Sequence, residues 1–263
     1  AELGKQGKAA VGVLAEVVKK SPSERARLNA VWALTRIDGD AARTALRPAL
    51  ADKADLVRQA ACHSVGIHRD AEAENDLVKC LQSDSPHLRR KAATSLGQLH
   101  STAAAPALLD RIADAPDRPL EHALIYALIE IGDAASLRQA IVGLAQQDED
   151  GAVLKPRAAL IALDQMEGGK LQASEVVPLL TSKQAMRKEV ASWIIGFHPE
   201  WGGELTDYYR QQVAASGHLS DEDSKALQTQ IGQSAATDSV QKLIATALAE
   251  PTTSKAARLI LLN

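Results

Sequence analysis

Leu88-Arg89-Arg90-Lys91-Ala92-Ala93-Thr94-Ser95-Leu96-Gly97-Gln98-Leu99 is the stretch on which the fold turns. In it Arg89 is followed by Ala92, then Ser95-Leu96, then Leu99, and this frame recurs in both directions. Upstream it reads Arg58-Gln59-Ala60-Ala61 with Ser64-Val65, and before that Arg27-Leu28-Asn29-Ala30 with Ala33-Leu34 and Ile37. Downstream it reads Glu121-His122-Ala123-Leu124 with Ala127-Leu128 and Ile131. It persists through Ala159, Ala162-Leu163 and Met166, and through Arg187, Val190, Trp193-Ile194 and Phe197. The marker residues Leu34, Val65, Leu96, Leu128, Leu163 and Ile194 stand 31, 31, 32, 35 and 31 positions apart. Self-similarity at that period means stacked supersecondary units, none of which buries its apolar face alone.

Each unit reads as two antiparallel helices. The first helix of a pair shows apolar residues at helical spacing, as in Leu46 and Leu50, Leu77 and Leu81, Leu108 and Ile112, Ile141 and Leu144, and Val177 and Leu180. Polar turns with helix-start chemistry precede the second helix: Ala51-Asp52-Lys53-Ala54-Asp55, Ser83-Asp84-Ser85-Pro86 and Asp114-Ala115-Pro116-Asp117. Gly39, Gly132 and Gly168-Gly169 fall where second helices should stop. The expected fold is all-α, an armadillo-like α-α superhelix of about eight stacked two-helix repeats. A single solenoid domain over 1–263 is expected, with layers near 3–38, 39–70, 71–101, 102–133, 134–169, 170–200, 201–236 and 237–263. The recurring Arg27, Arg58, Arg89 and Arg187 are expected to meet Asp side chains of the turns in a polar ladder.

Composition supports this reading. With 263 residues and 46% apolar content the chain can bury a continuous core, and with only 3% aromatics that core is built from Ala and Leu. The formal net charge is −3, with 18 basic and 18 acidic residues in 1–133 and 12 and 15 in 134–263, so no clustered basic face of a nucleic-acid binder stands out. No run of about 18 apolar residues exists, so direct membrane insertion is not expected. Cys62 and Cys80 fit neither a disulfide-rich scaffold nor a zinc site and read as small buried apolar residues, while their neighbouring layers leave a disulfide open in an oxidising compartment. The opening Ala1-Glu2-Leu3 and the closing Leu261-Leu262-Asn263 predict a fragment of a longer protein, with apolar ends giving weak end-to-end self-association.

The stretch Leu88 to Leu99 resembles the string VR-x-x-A-V-x-A-L-G-x-L of HEAT-repeat proteins, in the short HEAT-like or phycobilisome-lyase-type form. The resemblance covers most of residues 20–200 and implies the solenoid fold. A second resemblance rests on Arg157-Ala158-Ala159-Leu160-Ile161-Ala162-Leu163-Asp164-Gln165-Met166 and on Trp193-Ile194-Ile195-Gly196-Phe197-His198-Pro199-Glu200-Trp201-Gly202. It looks like the HEAT segment of large bacterial exported proteins that join a dehydrogenase-like propeller to a c-type haem domain. It implies an extracytoplasmic spacer whose partners are flanking domains of the same polypeptide.

Enzymatic constellations are missing from the sequence. Di-iron HEAT hydroxylases place His-Glu pairs on successive layers, and none of the seven histidines here is followed by Glu. Zinc patterns, a Gly-rich phosphate cradle, a GxSxG elbow and the haem motif CxxCH are absent. No catalytic, cofactor-binding or metal-ligating residue is therefore assigned, and no cofactor is expected.

One constellation points to recognition. The column two residues before the marker holds Trp32, His63, Thr94, Tyr126, Ile161 and Ser192, and its flanks add Arg36, Arg90, Gln98, His122 and Glu130. The partner-binding stripe is taken as Trp32, Arg36, His63, Arg90, Thr94, Gln98, His122, Tyr126 and Glu130, with Trp32 and Tyr126 as amphipathic anchors. Trp193 and Trp201 are expected to fill core space or a helix end, and of Tyr208-Tyr209 one ring is expected buried. The function implied is a non-catalytic protein-interaction scaffold. The alternatives are a spacer within an exported redox protein and a HEAT-type lyase-like enzyme.

Overall fold

A computed structural model of the chain describes residues 7–115, 117–144 and 153–262. Among them lie sixteen α-helices and no strand. The helices pair as α1 (Val11–Lys20) with α2 (Glu24–Thr35), α3 (Asp40–Leu46) with α4 (Asp55–His68), α5 (Glu74–Leu81) with α6 (Pro86–Gln98), and α7 (Ala105–Ile112) with α8 (Arg118–Ile131). Then follow α9 (Ala134–Ile141) with α10 (Leu154–Gln165), α11 (Ala173–Val176) with α12 (Ala185–Ile195), α13 (Gly202–Ala214) with α14 (Asp221–Gln233), and α15 (Asp238–Ala249) with α16 (Lys255–Leu262). The fold is an all-α solenoid of two-helix repeats. Pro116 and the parts of the expected layers at 3–6, 145–152 and 263 lie outside the described residues.

Local chemistry explains the boundaries. Ser23 accepts a hydrogen bond from the Ala26 amide, Ser85 from Leu88, and Asp117 from Leu120, so each caps a second helix. Gly132 closes α8 in the left-handed conformation at φ 73°, where a side chain would be strained. Gly39 does otherwise than expected. The preceding helix already ends at the Arg36 cap, and Gly39, at φ 114°, opens α3 instead.

The chain forms two compact units, Ala1–Val142 with Leu154–Lys170, and Gly143–Val153 with Leu171–Asn263. In the first, the second helices α2, α4, α6, α8 and α10 pack in succession, and the first helices flank them. The markers Leu34, Val65, Leu96, Leu128 and Leu163 are buried, as are Ala30, Ala60, Ala61, Ala92, Ala93, Ala127, Ala159 and Ala162. Small residues allow helix axes to approach closely. A Cβ on Gly97 would stand 3.0 Å from the Ala127 Cα, and one on Gly66 would stand 3.0 Å from the Ser95 Cα. Hydrogen bonds stitch the row together. Ser95 Oγ donates to the Cys62 carbonyl at 2.7 Å, the His68 ring N–H to the Thr35 carbonyl at 2.8 Å, and the His100 ring N–H to the Glu130 carbonyl at 2.6 Å.

The arginine ladder is realised once as expected. Arg27 grips Asp52 through Nε at 2.6 Å and a second guanidinium nitrogen at 2.8 Å, and this pairing holds the Asp52 carboxyl below its usual range. Arg58 meets Asp55 of its own turn, within one layer rather than from layer to layer. Arg89 needs correction, since it donates to the Asp114 main-chain carbonyl at 3.1 Å. Arg187 donates to the Leu144 main-chain carbonyl, also at 3.1 Å. Those carbonyls follow the ends of α7 and α9, where helical acceptors lack partners within the helix. Cys62 and Cys80 are both free and buried. The neighbouring Cys80 thiol together with burial pushes the Cys62 thiol well up.

In the second unit α11 is a single turn continued by a 3-10 segment, Val177–Thr181, against which α12 packs. Beyond it α13 packs on α15, and α14 on α16. The core here is more polar. Tyr209 is wholly buried with its hydroxyl 3.2 Å from both the Gln230 carbonyl and Ser234 Oγ, whereas Tyr208 is half-buried. Trp201 is buried and stacks on His198 at 4.0 Å. Trp193 departs from the expectation of a core filler. It is 43% exposed and meets the 61% exposed Phe197 edge-on at 5.0 Å.

Candidate functional site

The stripe residues lie on the second helices α2, α4, α6 and α8, with Arg36 at the C-cap of α2, all within the first compact unit. These helices pack in succession, so residues at matching offsets form a continuous face. On each helix the outward row advances by three or four residues at a time, the spacing of one helical side.

On α2 the row holds Arg25, Asn29, Trp32 and Arg36, all exposed. On α4 it holds Leu56, Gln59, His63 and Ile67, with Leu56 and Ile67 exposed and the other two half-buried. On α6 His87 and Arg90 are exposed, while Thr94 and Gln98 are half-buried. On α8 His122 and Tyr126 are exposed and Glu130 is half-buried. The structure thus brings the nine stripe residues to one face and adds Leu56 and Ile67. Leu154, in the same row of α10, is also exposed. Leu56 and Leu154 stand seven residues before the column, as Arg25 does, and Ile67 stands four after it, at the offset of Arg36, Gln98 and Glu130.

Large apolar side chains are left open along this face: Trp32 is 38% exposed, Ile67 47% and Tyr126 49%. Trp32 is steadied by the His63 ring of the next layer, tilted against it with centroids 5.6 Å apart. Tyr126 lies nearly parallel to His122, one helical turn back, at 6.3 Å. Burial and the nearby Lys91 charge hold the His63 imidazole below its usual value, so it meets Trp32 as a neutral ring at pH 7.

The charge on the face is one-sided. Arg25, Arg36 and Arg90 form no ion pair among the described residues. Arg157, in the α10 row, is engaged by Glu121. Glu130 is the one carboxylate in these rows, and its Oε2 is enclosed, 2.6 Å from where a Gly97 Cβ would stand. Gln98 is seated the same way over Gly66, with Oε1 2.2 Å from the corresponding point. The glycines thus let each next layer fold a polar side chain inward, leaving arginines and rings outward.

Other clusters are sparse. His198 and Glu200 are hydrogen-bonded at 2.6 Å, but no group of three or more His, Cys, Asp or Glu able to hold a metal occurs among the described residues. No helix among them is long and apolar enough to cross a membrane.

Comparison with known proteins agrees with the geometry. Residues 1–66 and 49–129 match the family of HEAT repeats. No curated protein matches the chain by sequence. Among solved structures, a chain of the Kap95p–RanGDP structure is similar over 98% of this chain and 39% of its own length, at 14% identity and a TM-score of 0.62. This chain therefore spans about two fifths of that one. A chain of the CpcE–CpcF complex of phycocyanin lyase from Nostoc sp. PCC7120 is 20% identical over 95% of this chain and 92% of its own, with a TM-score of 0.45. Human deoxyhypusine hydroxylase is 17% identical over 98% and 94%, with a TM-score of 0.40. These matches add nothing for the resemblance to exported haem proteins. Over residues 1–129 this chain is similar to HEAT repeats.

Proposed function

We propose that the chain is a non-catalytic protein-interaction scaffold that holds its partner along the face of α2, α4, α6 and α8. The observation that carries this reading is the set of large apolar side chains in the outward rows, Trp32 on α2, Ile67 on α4 and Tyr126 on α8, left open to solvent. Such side chains concentrate binding energy at protein interfaces, where truncating a central aromatic typically costs about 2 kcal/mol or more. The helices beneath are fixed by buried Leu and Ala and by main-chain bonds from His68 and His100, so the face is presented ready-formed. The histidines of the face serve as ring partners for Trp32 and Tyr126, in keeping with a binding rather than a catalytic role.

The test is capture of a partner from source cells by the immobilised chain, followed by its affinity for a Trp32→Ala/Tyr126→Ala variant. Helical circular dichroism should be unchanged, because both rings are largely outside the core. The expected result is a loss of affinity of at least thirtyfold, on the order of 2 kcal/mol. Unchanged partner affinity in the double variant refutes the face.

A further inference from the structure

We infer that the partner of this face is an extended acidic peptide segment with apolar anchors at multiples of about three residues. The inference rests on the docking reading above and adds the chemistry of the occupant. Three observations carry it.

The first is charge. The exposed, unpaired charges in the rows of α2, α4, α6 and α8 are Arg25, Arg36 and Arg90, and the single carboxylate, Glu130, has Oε2 enclosed over Gly97. An acidic segment meets complementary potential here and a basic one meets repulsion. The second is spacing. Packed helices stand about 8–10 Å apart, and an extended chain advances about 3.3 Å per residue. One layer therefore matches about three residues, and the three steps from Trp32 to Tyr126 match about nine. The third is interleaving. Open apolar side chains stand on α2, α4 and α8 and unpaired arginines on α2 and α6, and the α4 row between Arg36 and Arg90 holds no Asp, Glu, Lys or Arg. A nucleic-acid backbone, with its unbroken phosphate charge, is poorly matched to a row with no cation of its own. A peptide with a leucine-like anchor there is well matched.

The probe is a fluorescein-labelled peptide of about nine residues, leucine at every third position and glutamate elsewhere. Its glutamine and lysine counterparts and an oligothymidylate of similar length are measured beside it by fluorescence anisotropy. We expect the glutamate peptide to bind at least tenfold tighter than the glutamine one. Its affinity should fall roughly tenfold between about 50 and 300 mM salt, as screening shortens the reach of the arginines. An Arg36→Glu/Arg90→Glu variant should move the preference toward the lysine peptide. Equal, salt-independent binding of the glutamate and glutamine peptides, abolished by Trp32→Ala/Tyr126→Ala, overturns the acidic partner and leaves the docking face standing. Glutamate-peptide binding that survives Trp32→Ala/Tyr126→Ala but vanishes in Arg36→Glu/Arg90→Glu overturns the aromatic anchors instead. Tighter binding of the oligothymidylate, or no binding of the glutamate peptide, also overturns the inference.

Discussion

Gly97→Ala and Gly12→Ala are the same chemical change within one compact unit, and the packing assigns them opposite signs. Both glycines lie in helices, α6 and α1, so alanine returns about 0.5–1 kcal/mol of backbone entropy in each case. At Gly12 a Cβ meets nothing within 4 Å, and that gain is kept whole. At Gly97 the Cβ would stand 3.0 Å from the Ala127 Cα and 3.3 Å from its Cβ, besides displacing Glu130 Oε2 at 2.6 Å. The Glu130 carboxylate can swing away, but Ala127 Cα is main chain of α8, so α6 and α8 must part by a few tenths of an ångström. Overpacking of this kind costs about 1–3 kcal/mol, leaving Gly97→Ala destabilised by about 1 kcal/mol net. The two variants should then lie roughly 2 kcal/mol apart, equivalent to about 4–8 °C in thermal midpoint for a body of this size. Calorimetry or far-ultraviolet circular dichroism against temperature reads the difference, with Gly12→Ala above the parent and Gly97→Ala below it. A Gly97→Ala midpoint raised as much as that of Gly12→Ala would show that α6 and α8 do not approach as described. The displaced Glu130 carboxylate also gives Gly97→Ala a second signature, weaker glutamate-peptide binding through added negative charge on the face.

Trp193→Ala, which removes an exposed ring paired only with exposed Phe197, should change stability by less than about 1 kcal/mol, whereas Trp201→Ala removes a buried ring and should cost about 3 kcal/mol or more in urea unfolding; equal costs would contradict the placement of Trp193. Burial, with Tyr209 and Asp223 nearby, raises the Tyr208 phenol from 10.0 to about 12, so the folded state favours its neutral form. That contribution is complete below pH 10 and is lost as pH rises toward 12, which predicts phenolate absorbance rising together with loss of helicity in that window, and a weaker pH dependence in Tyr208→Phe. Full Tyr208 ionisation near pH 10 with helicity intact would count against it.

Much of this molecule was legible in the Ala and Leu frame, and what was not legible has a common cause. The frame gives the angular position of a side chain around its helix, which is why Leu34, Leu96 and Leu128 could be read as core and Trp32 and Tyr126 as outward. Burial depends also on what stands opposite. Trp193 occupies the slot of Ser95 and Ala127, both buried against a neighbouring second helix, yet its own ring is exposed. The partner expected for Arg89 fails for the same reason. Arg89 has Asp84 and Asp114 in adjacent turns, but it satisfies the main-chain carbonyl of Asp114, an acceptor invisible as a sequence pattern. Leu56 and Ile67 are different, since helical offsets alone place them in the outward row of α4, as counterparts of Arg25 and Arg36.

The sign of the binding face follows from where a solenoid puts its acids. Each layer starts two helices, and helix starts favour carboxylates, both as caps and against the positive end of the helix dipole. Asp117 and Asp133 cap α8 and α9, Asp52 accepts from the Ala54 amide while gripping Arg27, and Asp70 binds Arg47. Acidic residues are thereby drawn to the layer edges, where their charge is engaged. The outward rows of the second helices run mid-helix, away from those edges, and there the sequence sets Arg25, Arg36 and Arg90 among rings and aliphatic side chains. A formal net charge of −3 is thus compatible with a cationic face, because the total counts edge and face alike. In a repeat fold the charge that a partner meets has to be taken row by row, and here the outward row of α2, α4, α6 and α8 is the positive one.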